Sequence, residues 1–169
     1  MDSLCGGGAF ASREIDNAAV SKKITIVKKA LKKHNGTKLK AADALTKFGG
    51  AEIAALVGAL LEASEQNVAV LVDGFIVTAA TLVAVNLSPN VCRVLFFTSQ
   101  SAEKGQQAAV DMIRAIAKKN NIPLPAPPAL SMGLRMGEAT AALLAVPILR
   151  STTTLFRDMA TIQEILLSS

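Results

Sequence analysis

Apolar residues in this chain follow two different patterns, and the alternation between them predicts its elements. In VSKKITIVKKALKKHNG, Val20, Ile24, Val27 and Leu31 recur at helical spacing with lysine pairs between them. That spacing predicts an amphipathic helix with the lysines on its outer face. Asn35-Gly36 is a good stop for it, and His34, in the last turn, reads as a solvated cation at a helix C-terminus. A second helical stretch, KAADALTKFGGAEIAALVGALLEASE, is broken or re-aimed at Gly49-Gly50. The pattern then changes. VAVLVDG and VCRVLFFTS are continuous apolar runs rich in β-branched residues, which predicts strands buried on both faces. Helical stretches follow each, FIVTAATLVAVNL and then SAEKGQQAAVDMIRAIAKKNN from its small-residue turn onward.

Strands alternating with helices predict a parallel α/β sheet. IPLPAPPAL holds four of the six prolines and must be an extended connection. Two closing helices are expected over GEATAALLAVPILRSTTTLF and RDMATIQEILL, with Pro147 able to kink the first. Two strands alone leave exposed edges, so the chain is expected either to pair with a partner or to be a piece of a larger fold. Residues 1–169 are accordingly read as a single incomplete α/β domain.

Composition narrows the function classes. About half the chain is hydrophobic, with six Phe and no Trp or Tyr, which excludes disorder. The net charge of +5 is uneven, since nine of the eighteen basic residues are lysines between Lys22 and Lys47. Neither arginine nor interleaved aromatics accompany them, so a solvated helix face is expected and no nucleic-acid partner. One or two of these lysines could instead serve a phosphate. Residues 68 to 87 are of bilayer length with Asp73 as their one charge. The break at Asp73-Gly74 and the cost of an acid in a lone span favour strand, turn and helix over a membrane segment. Cys5 and Cys92 have no metal or redox spacing and suit a reducing compartment, and no signal peptide is evident at the N-terminus. A cytoplasmic location is expected.

In open parallel sheets, ligands sit beyond the carboxyl ends of strands, where helix N-termini point free N–H groups. Three loops qualify: Asp73-Gly74, SQSAEKG from Ser99 to Gly105, and GLRMGE, which carries Glu138 at the threshold of an apolar helix. An acid at a helix start is more often a dipole partner than a catalyst. Convergence of the three loops would shift that balance.

The segments ADALTKFGGAEIAALVGALLEAS, VAVLVDGFIVTAATLVA, SQSAEKGQ, LRMGEATAALLAVPIL and DMAT, in this order, resemble successive blocks of the nicotinate-nucleotide–dimethylbenzimidazole phosphoribosyltransferases. The resemblance runs from about Cys5 onward and corresponds to the C-terminal portion of that family. It implies a three-layer, Rossmann-like parallel sheet with helices on both faces, here a partial sheet, plus C-terminal helices. It implies a homodimer that needs no cofactor or metal, moving ribose 5-phosphate from nicotinate mononucleotide to 5,6-dimethylbenzimidazole in cobalamin lower-ligand synthesis. Glu138 matches the catalytic base. Asp73 matches an acidic position near the site, assisting or positioning, with hydrogen bonding to loop N–H groups as the plainer alternative. Leu134 and Met136 match walls for the aromatic base, or else simple core. Gly6, Gly7, Gly8, Lys23 and Ser101 match the phosphate and ribose side.

The sequence departs from the family pattern in places. Ala139 and Ala141 stand where glycines are usual, Gln106 stands where histidine is usual, and KKNNIPLPAPP is longer than the usual connection. The family's N-terminal half, with most of its strands and a second important glutamate, has no counterpart here. A truncated gene model, a split subunit and a non-catalytic remnant all fit that difference.

Overall fold

The computed structural model describes residues 17–34, 39–101, 103–132 and 139–167. Helix α1 (Asn17–Lys33) is followed by a short α2 (Ala41–Ala44), which widens into a π-helical turn over Leu45–Gly49. The chain breaks at Gly50, whose φ of 126° is open to glycine and strained for other residues, and re-enters as α3 (Ala51–Glu65). The expected interruption at Gly49-Gly50 is therefore a real change of helix. Strand β1 (Val70–Val72), α4 (Phe75–Leu87), a 3₁₀ segment (Pro89–Val94), strand β2 (Leu95–Phe97) and α5 (Lys104–Lys119) follow. Helices α6 (Thr140–Asp158) and α7 (Ile162–Leu167) complete the described chain.

The two strands run parallel, with Val70, Leu71 and Val72 opposite Leu95, Phe96 and Phe97. The second apolar run is only partly strand. Pro89 sits in the first turn of the 3₁₀ segment, and Val91, Cys92 and Val94 are buried from it rather than from a ladder. A short apolar run looks the same in either conformation, so its length could not separate them. The proline-rich connection lies beside the sheet. Ala129 and Leu130 donate their N–H groups to the carbonyls of Phe97 and Thr98, and Gln100 donates to Leu130, so this connection runs parallel to the end of β2. The Arg114 guanidinium of α5 ties it down by donating to the Pro125 carbonyl.

One face of the sheet packs on α3, α4 and α5. Val57 and Leu60, Ala80, Ala84 and Val85, Val110, Ile113 and Ala117 meet Val72, Leu95 and Phe97 in a single core. Helix α4 is apolar all round, and its buried Thr78 and Thr81 return their hydroxyls to the carbonyls of Gly74 and Val77. Phe96 points to the opposite face, where it lines an apolar groove with Ala126, Pro127 and the α6 residues Ala145, Ile148 and Leu149. Helices thus lie on both faces of the small sheet, as expected. The stretch from 68 to 87 divides into β1 and the thirteen-residue α4. Among the described residues no helix is long and apolar enough to cross a membrane.

Helix α1 departs from a simple amphipathic docking. Val20, Ile24 and Leu31 are half-buried, but Val27 is exposed with the lysines. His34, half-buried, meets the body of the fold with its ring edge-on to Phe48, centroids 5.7 Å apart. At the other end, Thr161 and Glu164 form a reciprocal capping box on α7. The Thr161 N–H and hydroxyl hold the Glu164 carboxyl below its usual range.

Burial pushes the Cys92 thiol up to about 11. At pH 8 the thiolate is then roughly one part in a thousand. Iodoacetamide should leave Cys92 unlabelled in the native protein and label it after unfolding, read by mass spectrometry of its peptide. Native labelling at the rate of an unfolded thiol would contradict the packing of the 3₁₀ segment.

Candidate active site

The register of the sheet sets the site. Because Val72 faces Phe97, the residues leaving the two strands, Asp73 and Thr98, emerge side by side at the carboxyl end. Thr98 locks this end by giving both its N–H, at 3.0 Å, and its hydroxyl, at 2.9 Å, to the Val72 carbonyl. Ser99 then bridges to Leu130, so the loop after β2 and the segment leading to α6 are joined.

Asp73 is 9% exposed, and its Oδ1 accepts the N–H of Ala142 at 2.9 Å. Ala142 lies in the first turn of α6, where backbone donors lack helical partners. Its N-cap residue, Ala139, is left-handed at φ 60°, ψ 17° and makes no side-chain cap bond. An acceptor 69 residues away caps the Ala142 N–H. A negative charge there also complements the helix dipole. Of the two readings of Asp73, this geometry carries the hydrogen bond to a backbone N–H group, and through it Asp73 holds the first turn of α6.

Ser101 is half-buried, and its Oγ accepts the N–H of Glu103 at 3.1 Å. Having accepted, the hydroxyl has its own hydrogen to offer an anionic oxygen. The Ser101 N–H is engaged by Gln106 Oε1 at 2.6 Å, while Gln106 Nε2 donates to the Ser99 carbonyl at 3.1 Å. Gln106 is fully buried. Sequence reasoning treated it only as a departure, although the signal was present: Gln106, Val110, Ile113 and Ala117 share one helical stripe, so a polar group on the inner face needed partners.

Lys23 is exposed on α1, three turns before the His34 contact, and among the described residues no contact links it to Asp73 or Ser101. Glu138, Leu134, Met136, Gly6, Gly7 and Gly8 lie outside the described residues. The described geometry joins the loop after β1 to the start of α6, and the loop after β2 to residues 129–130. Two of the three expected loops, those after β1 and β2, thus lie at one end of one sheet, and the third, GLRMGE, lies outside the described residues. The groove beside Phe96 is a different feature, about 70 Å³ and apolar. It is small against the several hundred Å³ typical of ligand pockets.

A phosphoribosyltransferase family model matches residues 5–165. The chain belongs to that family. It is 41% identical over 156 residues to the nicotinate-nucleotide–dimethylbenzimidazole phosphoribosyltransferase of Xanthomonas oryzae pv. oryzae (strain PXO99A), covering 92% of this chain and 41% of that protein. It is 43% identical over 153 residues to the like-named protein of Pseudomonas putida (strain W619), covering 89% and 40%. The crystal structure of CobT from Thermus thermophilus superposes with a TM-score of 0.78 at 28% identity, over 97% of this chain and 44% of that one. The fold is thus the α/β phosphoribosyltransferase fold, and the chain spans about 40% of the length of the curated relatives it matches.

Substitutions at two positions test the phosphoribosyltransferase site as described. A left-handed alanine costs about 1 kcal/mol relative to glycine. Ala139→Gly should therefore raise stability by about that amount in urea unfolding, and a loss would contradict the assigned backbone. Asp73→Ala should cost about 1–2 kcal/mol as a lost cap, whereas Asp73→Asn, which retains an acceptor, should cost less. Faster amide exchange at Ala142 in Asp73→Ala is expected with it. Unchanged stability and exchange would remove the cap from the account.

Proposed function

We propose that this chain carries the base-activating portion of an enzyme that transfers ribose 5-phosphate from nicotinate mononucleotide to 5,6-dimethylbenzimidazole. The products are α-ribazole 5′-phosphate and nicotinate, and the setting is assembly of the cobalamin lower ligand. The observation that supports the reading is that the loops after β1 and β2 meet the start of α6 and residues 129–130 at the carboxyl end of the sheet, with Asp73 bonded to Ala142, four residues beyond Glu138 in sequence. The names of the relatives supply the substrates.

In this reading one benzimidazole nitrogen attacks the anomeric carbon of the ribose. The bond from that carbon to the pyridinium nitrogen breaks, and its electron pair neutralises the departing ring. Glu138 accepts the proton shed by the second benzimidazole nitrogen. The leaving group needs no proton, so one base suffices. Asp73 holds the start of α6 and with it the loop bearing Glu138. Leu134 and Met136 flank the flat ring, while the Ser101 hydroxyl, Gly6 to Gly8 and Lys23 face the phosphate and ribose.

Two partners belong to the proposal. One is a second copy of the chain, as a homodimer. The other is polypeptide equivalent to the rest of the relatives' length, whether joined to this chain or separate. The exposed apolar side chains of α6 and α7, among them Leu155, Phe156, Ile162 and Leu166, favour such a cover. A second reading, a protein that binds the base or nucleotide without turnover, is favoured by Ala139 occupying a left-handed position better suited to glycine.

The test is nicotinate release from nicotinate mononucleotide and dimethylbenzimidazole, by the chain alone and with polypeptide covering the remaining length of the relatives. Glu138→Gln should lower turnover by about a hundredfold or more while folding persists. Unchanged turnover would reject the base assignment. Binding without turnover in both settings would decide for the second reading.

A further inference from the structure

We infer that Gln106 is a positioning residue, clamping the Ser99–Ser101 loop so that the Ser101 hydroxyl faces the phosphate end of the substrate. The inference rests on the proposed role of Ser101 and adds to it the device that sets the loop. The loop leaves β2 at Thr98, whose N–H and hydroxyl are already given to Val72. Beyond Thr98 the backbone presents an acceptor, the Ser99 carbonyl, and then a donor, the Ser101 N–H. Gln106 meets both with a single planar group, at 3.1 and 2.6 Å. Its own N–H bonds the Glu103 carbonyl at 3.0 Å, and the Glu103 N–H bonds Ser101 Oγ at 3.1 Å. The loop is therefore held through both its backbone and its hydroxyl by the first turn of α5. With one Oγ lone pair taken by the Glu103 N–H, the serine keeps its O–H to donate, which suits an anionic oxygen.

The chemistry demanded at position 106 is specific: one donor and one acceptor, both buried. A primary amide supplies this at every pH. A neutral imidazole supplies one of each as well, a protonated imidazole supplies two donors, and a carboxylate supplies two acceptors. Gln106→Glu would set a carboxylate oxygen against the Ser99 carbonyl, and Gln106→Ala would leave both backbone groups without this partner. Gln106→His should work only while neutral. A merely structural role for a buried glutamine predicts loss of stability in all three variants, with no such ordering in affinity.

The experiment is calorimetric titration of the full chain with nicotinate mononucleotide from about pH 5.5 to 8.5, each variant expressed as a ratio to wild type. The ligand's own phosphate titration then cancels. Gln106→Ala and Gln106→Glu should bind about tenfold more weakly throughout, the loss expected for a broken buried hydrogen bond. Gln106→His should match wild type near pH 8 and weaken as pH falls through about 6.5, the ordinary imidazole value. Wild-type affinity in the first two variants, or a flat ratio for Gln106→His, overturns the proposal. If Gln106→Ala fails to fold, the pH dependence of Gln106→His alone decides. Absence of binding by wild type overturns the reading of Ser101 and this proposal with it. Amide exchange at Ser101 separates the two failures, because the clamp requires slower exchange in wild type than in Gln106→Ala, or than in Gln106→His at low pH if the alanine variant does not fold.

Discussion

The contact on which the rest of this structure leans is one hydrogen bond from the start of the last long helix to a carboxylate at the end of the first strand. Helix α6 begins at a left-handed Ala139, which makes no side-chain cap bond. The Ala142 N–H lies in the first turn, where helical carbonyls are out of reach. Asp73 supplies its acceptor from a distant part of the chain. A buried carboxylate is itself costly unless hydrogen-bonded, so each group removes the other's penalty. The placement of the first turn of α6 against the end of β1 follows from that pairing.

The sheet can anchor such a contact although its strands are three residues long. Parallel pairing of β1 and β2 is lengthened by Thr98, which doubles its bond to Val72, and by residues 129–130, which extend the pattern past β2. Proline lacks the N–H that a central strand must donate, and the connection respects this. Pro123, Pro125, Pro127 and Pro128 precede the paired residues, and the ladder bonds begin at Ala129, once N–H groups return. This connection therefore serves as an edge-covering segment at the end of β2.

Periodicity made α1 and α5 legible, while α4 was legible from its Ala-rich run after the Asp73-Gly74 break. The split at Gly50 was legible from the paired glycines. The 3₁₀ segment was not, because VCRV is as well buried from a tight turn as from a strand, and nothing in four letters records which. At the site, Asp73 and Ser101 stood out as polar residues at strand ends, and the family blocks placed them together. The partner of Asp73 could not be read, since a backbone N–H at Ala142 has no letter. Gln106 could have been found by helical phase, but its neighbour Gln107 looks identical in sequence, and only the fold shows that one is buried and the other exposed.

Helix α6 carries a further constraint in the sizes of its side chains. Its buried positions are the small Ala141 and Ala145, which let the backbone lie close to the sheet, while Leu143, Leu144, Ile148 and Leu155 are left open to solvent. A helix at a protein surface normally shows the reverse, with large apolar groups inward and polar groups outward. Apolarity on both sides is what a helix between two layers requires. Helix α7 extends the same apolar surface, with Phe156 and Ile162 flanking the turn that leads to it, 87% and 78% exposed. The matched relatives are more than twice as long as the portion they share with this chain. The inverted pattern of α6 and that difference in length both accord with the proposed cover over this apolar surface, while the cap at Asp73 fixes the first turn of the helix.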